Sequence, residues 1–150
     1  MFNLEDLYQE IIMDHNRRPR NFTKLADANR NADGFNPLCG DQISLYLNVT
    51  DKVIVEIGFQ ASGCAISKAS ASMMTEEVKG KTEKEAKILF NTFRQMITRE
   101  STDNFDAKLL GDLEILRGIS EYPARIKCAT LSWHTLNAAI IGKNESISTE

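Results

Sequence analysis

From Gln42 to Phe59 the sequence runs with a period of two. Ile43, Leu45, Leu47 and Val49 alternate with Gln42, Ser44, Tyr46 and Asn48, and Val53, Val55, Ile57 and Phe59 resume the alternation after Thr50-Asp51-Lys52. Alternation puts every second side chain on the same face of an extended chain, so these runs predict two half-buried antiparallel strands joined by a short turn. A sheet with one apolar face has to be covered, and the cover must come from the flanking sequence. Residues 61–63 read as a third strand or a turn leading into Cys64.

The flanks carry helical spacing. Leu4, Leu7, Tyr8 and Ile11 share one face across residues 3–14, and that helix ends before Pro19. Residues 21–38 are rich in Asn, Asp, Gly and Pro, follow neither period, and read as an extended surface connection to Cys39. After Cys64, the small residues Ala65, Ser67, Ala69, Ser70, Ala71 and Ser72 suit a helix packed closely on the sheet and stopped at Gly80. Thr82 and Glu85 form a capping-box pair that opens a helix over 83–98, with Ala86, Leu89, Phe93, Met96 and Ile97 on one face. Residues 101–106 form a polar connection, and Leu109, Leu113 and Leu116 predict a helix over 108–119 that Gly111 and Gly118 weaken. Pro123 opens a final helix in which Ile126, Ala129, Trp133, Leu136 and Ile140 recur at helical spacing up to Gly142.

Helix, strands, then helices predict an α+β fold, a small antiparallel sheet of about three strands packed against helices, with an N-terminal helix and a helical C-terminal half. The 150 residues form one expected domain, 1–150, with a flexible polar tail from about residue 143. A net charge of −3 supplies no broad basic field, which argues against a nucleic-acid partner. Arg17, Arg18 and Arg20, broken by Pro19, read as a solvated helix exit. No apolar run approaches the roughly 18 residues of a spanning helix, and Glu5 and Asp6 stand where a secretory signal carries base. A cytoplasmic protein with no membrane partner is expected.

Three cysteines are an odd number, and a reducing compartment disfavours disulfides, so thiol or metal chemistry is the better expectation. Cys39-Gly40-Asp41 lies just before the first alternating run, where glycine lets the backbone turn a thiolate and a carboxylate toward one point. Cys64 precedes a helix, whose N-terminus favours thiolate. Cys128 has Arg125 three residues before it and Lys127 beside it, which again favours thiolate. Three sulfurs and one carboxylate can complete a tetrahedral zinc site. The same residues also fit buried cysteines acting as small hydrophobes, or a cysteine nucleophile activated by His15 or His134, although both histidines sit in helices where packing or surface roles are commoner.

Four segments carry a resemblance that decides among these. Asp14-His15 through Pro19-Arg20-Asn21, Asn36-Pro37-Leu38-Cys39-Gly40-Asp41, Gly63-Cys64 through Met73-Met74, and Arg125-Ile126-Lys127-Cys128-Ala129-Thr130-Leu131 resemble the IscU/NifU-N-like scaffold superfamily of iron-sulfur cluster assembly across nearly the whole chain. Within it the chain looks like the SufU branch. The second and third cysteines are far apart, Lys127 stands where an IscU-type protein has histidine, and Tyr122-Pro123-Ala124-Arg125-Ile126-Lys127 replaces the chaperone-recognition run Leu-Pro-Pro-Val-Lys.

The resemblance implies zinc held by Cys39, Asp41, Cys64 and Cys128, and a sulfurtransferase-like acceptor rather than a stand-alone enzyme. Cys39 would accept persulfide sulfur from a SufS-type cysteine desulfurase, with Arg125 steadying the freed thiolate or incoming persulfide, and the sulfur would pass to downstream SUF cluster-assembly proteins. Two alternatives follow from the same superfamily: an IscU-type scaffold that assembles a 2Fe-2S cluster on these cysteines, and a structural zinc domain that regulates a partner.

Overall fold

The computed structural model describes residues 4–98, 106–142 and 147–148. The two alternating runs form β2 (Asp41–Thr50) and β3 (Val53–Ser62). Between them Asp51 and Lys52 both take positive φ, 52° and 66°, the two-residue type I′ geometry whose twist matches paired strands. On β2 the alternation holds, and Ile43, Leu45, Leu47 and Val49 are buried. On β3 it breaks at one residue. Asn48 pairs with Glu56 and Val49 with Ile54, so Val55 is an extra residue in a bulge, exposed, while Ile54 takes the inward place expected of its neighbours. Ile57 and Phe59 point inward as expected.

The third strand is not at residues 61–63; Ala61 and Ser62 simply end β3. It is β1 (Arg30–Asn36), inside the segment that reads as a connection, antiparallel to β2 from Arg30 opposite Leu47 to Asn36 opposite Asp41. Its inward residues are Ala32, Gly34 and Asn36, small or polar, so its alternation carries little apolar signal. The glycine has a packing reason. A Cβ at Gly34 would collide with Thr135 Oγ1 and crowd Ile43 and Leu131, so the bare position lets the last helix, Pro123–Ile141, lie directly on β1. Ile147–Ser148 (β4) pairs in parallel with Gly34 and Phe35 at the outer edge of β1, giving the order β3-β2-β1-β4. Those two residues are strand where a frayed tail is expected, because the edge of β1 offers unpaired backbone groups; the rest of that tail lies outside the described residues.

Helices cover the inner face. In α1 (Leu4–Arg17) Tyr8, Ile11 and Ile12 are half-buried and His15 is buried, while Leu7 of the expected face is exposed. His15 Nδ1 lies 2.8 Å from Ser72 Oγ, tying α1 to α2 (Ala65–Val78). The small residues of α2 allow the expected close packing: Ser70 Oγ donates to Ala129 O at 2.6 Å, across to α5 (Pro123–Ile141). The capping box at the start of α3 (Glu83–Thr98) is formed in both directions at 3.0 Å. The single helix expected over 108–119 is instead a short α4 (Ala107–Leu110) and a 3₁₀ segment, Gly111–Glu121. Gly111 at φ 54° cannot continue an α-helix. Most of the polar connection expected at 101–106 lies outside the described residues, and Asp106 caps α4 by accepting from Lys108 N–H. On α5, Trp133 stacks on Phe93 with ring centres 4.8 Å apart, and the side chains of sheet and helices join in one core. Among the described residues no helix is long and apolar enough to cross a membrane.

Candidate metal centre

The register of β1 against β2 ends with Asn36 opposite Asp41, and the turn between them, residues 37–40, carries Cys39. Gly40 takes φ 72°, which lets the turn close. Leu38, beside the cysteine, is 64% exposed, and Cys39 itself is half-buried, so this thiol sits on an accessible tip. Asp41 continues the inward series Ile43, Leu45, Leu47 and is fully buried. Because α5 rests on Gly34, its second turn passes over the same sheet end and brings in Cys128, also fully buried. The sulfurs of Cys128 and Cys39 lie 3.3 Å apart, and the ligand atoms of Cys39, Asp41 and Cys128 all fall within 4.8 Å of one another.

Cys64 comes to the edge of this group. It is the N-cap of α2, its sulfur accepting from Ser67 N–H at 3.4 Å, its backbone N–H donating to Asp41 Oδ1 at 2.7 Å, and its Sγ 3.9 Å from Asp41 Oδ2. The position before a helix is as the sequence predicts; the thiol serves as cap and is not part of the mutual cluster of three. Gly63, at φ 131°, has no room for a Cβ, which would collide with Asp41. Arg125 stands exposed in the first turn of α5, and its ionised form is favoured first by a hydrogen bond with Cys128 and then by the charges of Cys64, Cys128 and Cys39.

Burial, foremost, pushes the Cys128 thiol far above its ordinary range, with contacts to Cys39, Asp41 and Cys64 adding to the shift. Ionising the thiols beside a buried carboxylate would set like charges together out of water, which is costly for the bare protein. A divalent cation answers that cost and matches the donors. Two thiolates on one tetrahedral zinc, each about 2.3 Å from it, stand about 3.8 Å apart. The 3.3 Å between Cys39 and Cys128 is near that separation and far from the roughly 2.05 Å of a disulfide.

The histidines are elsewhere. His15 bonds Ser72, and His134 meets the Phe90 ring edge-on with centres 5.2 Å apart; among the described residues neither is grouped with the cysteines. Sequence reasoning missed Asn36. It is fully buried, and its Nδ2 donates to Asp41 Oδ2 at 3.1 Å and to Cys128 Sγ at 3.5 Å. A polar residue immediately before Pro37 and five positions before a candidate ligand was the available signal.

Soft thiols and one carboxylate converging at the end of a small sheet, under the N-terminal turns of two helices, define a metal- or sulfur-handling α+β domain. The chain belongs to the family of the NifU-like N terminal domain, whose model matches residues 7–129. It is 44% identical over 139 residues to the zinc-dependent sulfurtransferase SufU of Bacillus subtilis, covering 92% of each chain. It is 41% identical over 137 residues to the iron-sulfur cluster assembly scaffold protein IscU of Streptococcus pyogenes serotype M1, covering 91% of this chain and 84% of that one. The fold superposes on a crystal structure from Fervidobacterium islandicum, described as an iron-sulfur cluster assembly scaffold protein for the SUF system, with a TM-score of 0.83 and 34% identity over 87% of this chain and 94% of that one. The superfamily and the α+β architecture read from the sequence are therefore borne out.

Proposed function

We propose that this chain is a zinc-binding sulfur acceptor of iron-sulfur cluster assembly that takes persulfide sulfur from a SufS-type cysteine desulfurase in the cytoplasm and relays it to downstream SUF proteins. The observation that carries the reading is the unequal exposure of one converging set: Asp41 and Cys128 are fully buried, whereas Cys39 rides an exposed turn. Asp41, Cys64 and Cys128 are the retaining ligands and Cys39 the one that exchanges. Cys64, at the edge of the group with its sulfur 3.9 Å from Asp41 Oδ2, would supply the fourth ligand. Zinc, when bound, keeps thiols ionised at neutral pH and has no redox chemistry of its own.

The transfer is a thiol exchange without net redox change. The Cys39 thiolate attacks the outer sulfur of the desulfurase persulfide, a new S–S bond forms on Cys39, and the desulfurase sulfur leaves as thiolate. Cys39 suits this role because it rides an exposed turn that a partner can reach; Cys128 is fully buried under the sheet end, and Cys64, half-buried like Cys39, stands at the start of α2 rather than on a turn tip. Arg125, exposed beside the sulfurs, offsets the negative charge of the freed thiolate and of the persulfide it becomes.

Protein purified without added metal should contain zinc and should speed the desulfurase reaction. A zinc-loaded protein that gives no stimulation would falsify the acceptor reading. The similarity to a relative named as an IscU scaffold favours a second reading, cluster assembly on the same cysteines. It is distinguished by anaerobic reconstitution with iron and sulfide, which yields a stoichiometric 2Fe-2S cluster only if the chain is a scaffold. Sulfur transfer that survives Cys39→Ala would mean that the metal site is structural or that another residue is the acceptor.

A further inference from the structure

Resting on the metal reading above, we infer that Asn36 is a positioning residue of the metal centre: its one amide group locks together the three chain segments that bring Asp41, Cys128 and Cys39 to a common point. Both N–H groups and the oxygen of the side chain have a partner in the site. One N–H of Nδ2 donates to Asp41 Oδ2 at 3.1 Å, the other reaches Cys128 Sγ at 3.5 Å, and Oδ1 accepts from Leu38 N–H at 3.3 Å, in the turn that carries Cys39. Asp41 opens β2, Cys128 lies 92 residues beyond Asn36 on α5, and the turn is held to α5 by these bonds and by the contact between the two sulfurs.

The residue type is dictated by the neighbours. Aspartate has the same shape but would set a third acceptor against a carboxylate and a sulfur; glutamine has the donors but is longer by a methylene than a fully buried site permits. Asp41 illustrates the consequence. Cys64 N–H binds its Oδ1 at 2.7 Å and Asn36 its Oδ2, so both oxygens are oriented and the carboxylate cannot rotate away from the sulfurs. Groups that hold ligands in this way commonly change metal affinity by about 10- to 100-fold when removed.

The test uses the full chain with cobalt(II) as a spectroscopic substitute for zinc. Asn36→Leu keeps most of the volume and removes every hydrogen bond; Asn36→Ser is measured as well, and carries the test if the leucine variant lacks the native circular dichroism. A core variant remote from the site, Ile97→Val, controls for loss of stability alone. Folded Asn36 variants should bind zinc about 10- to 100-fold more weakly in chelator competition, and their cobalt complexes should show shifted ligand-field bands, whereas Ile97→Val should match wild type in both. Variants whose cobalt spectrum and zinc affinity overlay wild type would overturn the assignment to Asn36 and leave the metal reading standing. A wild-type protein that takes up neither ion would overturn both.

Discussion

Gly63→Ala tests whether the backbone beside Cys64 is held against Asp41 as closely as the structure shows. Two costs act there. At φ 131° an L-residue is strained, by about 1 to 2 kcal/mol for a left-handed conformation. In addition the new Cβ would overlap Asp41 Oδ1 and lie 2.7 Å from Asp41 Cα, which is backbone and cannot swing aside; forcing a methyl into such a site adds about 1 to 3 kcal/mol. Gly80→Ala separates the two, because Gly80 has φ 86° and a Cβ added there would meet nothing within 4 Å. For a chain of this size about 1 kcal/mol lowers the melting temperature by roughly 2 to 4 °C. Gly80→Ala should therefore lower it by about 2 to 8 °C, and Gly63→Ala by a further 2 to 12 °C or so. The assay is thermal unfolding of the reduced, metal-free protein followed by circular dichroism. Equal losses in the two variants would show that the backbone at Gly63 does not press on Asp41 and would refute this account of why the position is glycine.

Other consequences are open to equally direct measurement. Thr82→Ala removes one half of the capping box and should cost about 1 kcal/mol, read as a lower urea midpoint with an unchanged slope. Burial first, and then the Arg20 charge, lower the pKa of His15 from its ordinary 6.5 against opposing pulls from Glu76, Asp14 and Asp112. The unfolded chain then takes up a proton at higher pH than the folded one, so this contribution to stability is complete above about 6.5 and is lost as the pH falls below it. His15→Gln should flatten the acid limb of melting temperature against pH without abolishing it, because His134 is shifted the same way by burial; an unaltered slope would contradict the docking of α1 through Ser72. Arg125→Ala should slow sulfur transfer while leaving the melting temperature unchanged within error, since the residue is exposed and its partners are the sulfurs; an unchanged rate would remove it from the site.

The parts of the molecule that the sequence discloses are those specified by neighbours in the chain. Thr82 and Glu85 are three residues apart and make their cap within one turn. The hairpin declares itself through β2, whose every second residue is apolar, and Cys64 through its place before a run of small residues. What escapes is specified across the fold. β1 is invisible to hydrophobic periodicity because α5 demands glycine at Gly34 and the amide of Asn36 bonds Asp41 and Cys128, leaving Ala32 as its only apolar inward residue. Val55 leaves the pattern because a bulge, set by pairing with Asn48 and Val49, adds one residue. The three cysteines and Asp41 can be named from the sequence, but the meeting of Cys128 with Cys39 and Asp41, with Cys64 at its edge, depends on α5 lying on β1, and it is motif resemblance rather than spacing that anticipates it.

One measurement reaches the acceptor assignment without intermediaries: mass spectrometry of the zinc-loaded protein after a single turnover with a SufS-type desulfurase and cysteine, followed by mapping of the modified peptide. One additional sulfur atom on the peptide containing Cys39, with those of Cys64 and Cys128 unmodified, is the predicted result. An added sulfur on Cys64 or Cys128 instead, or none on any cysteine while the desulfurase turns over, would contradict it.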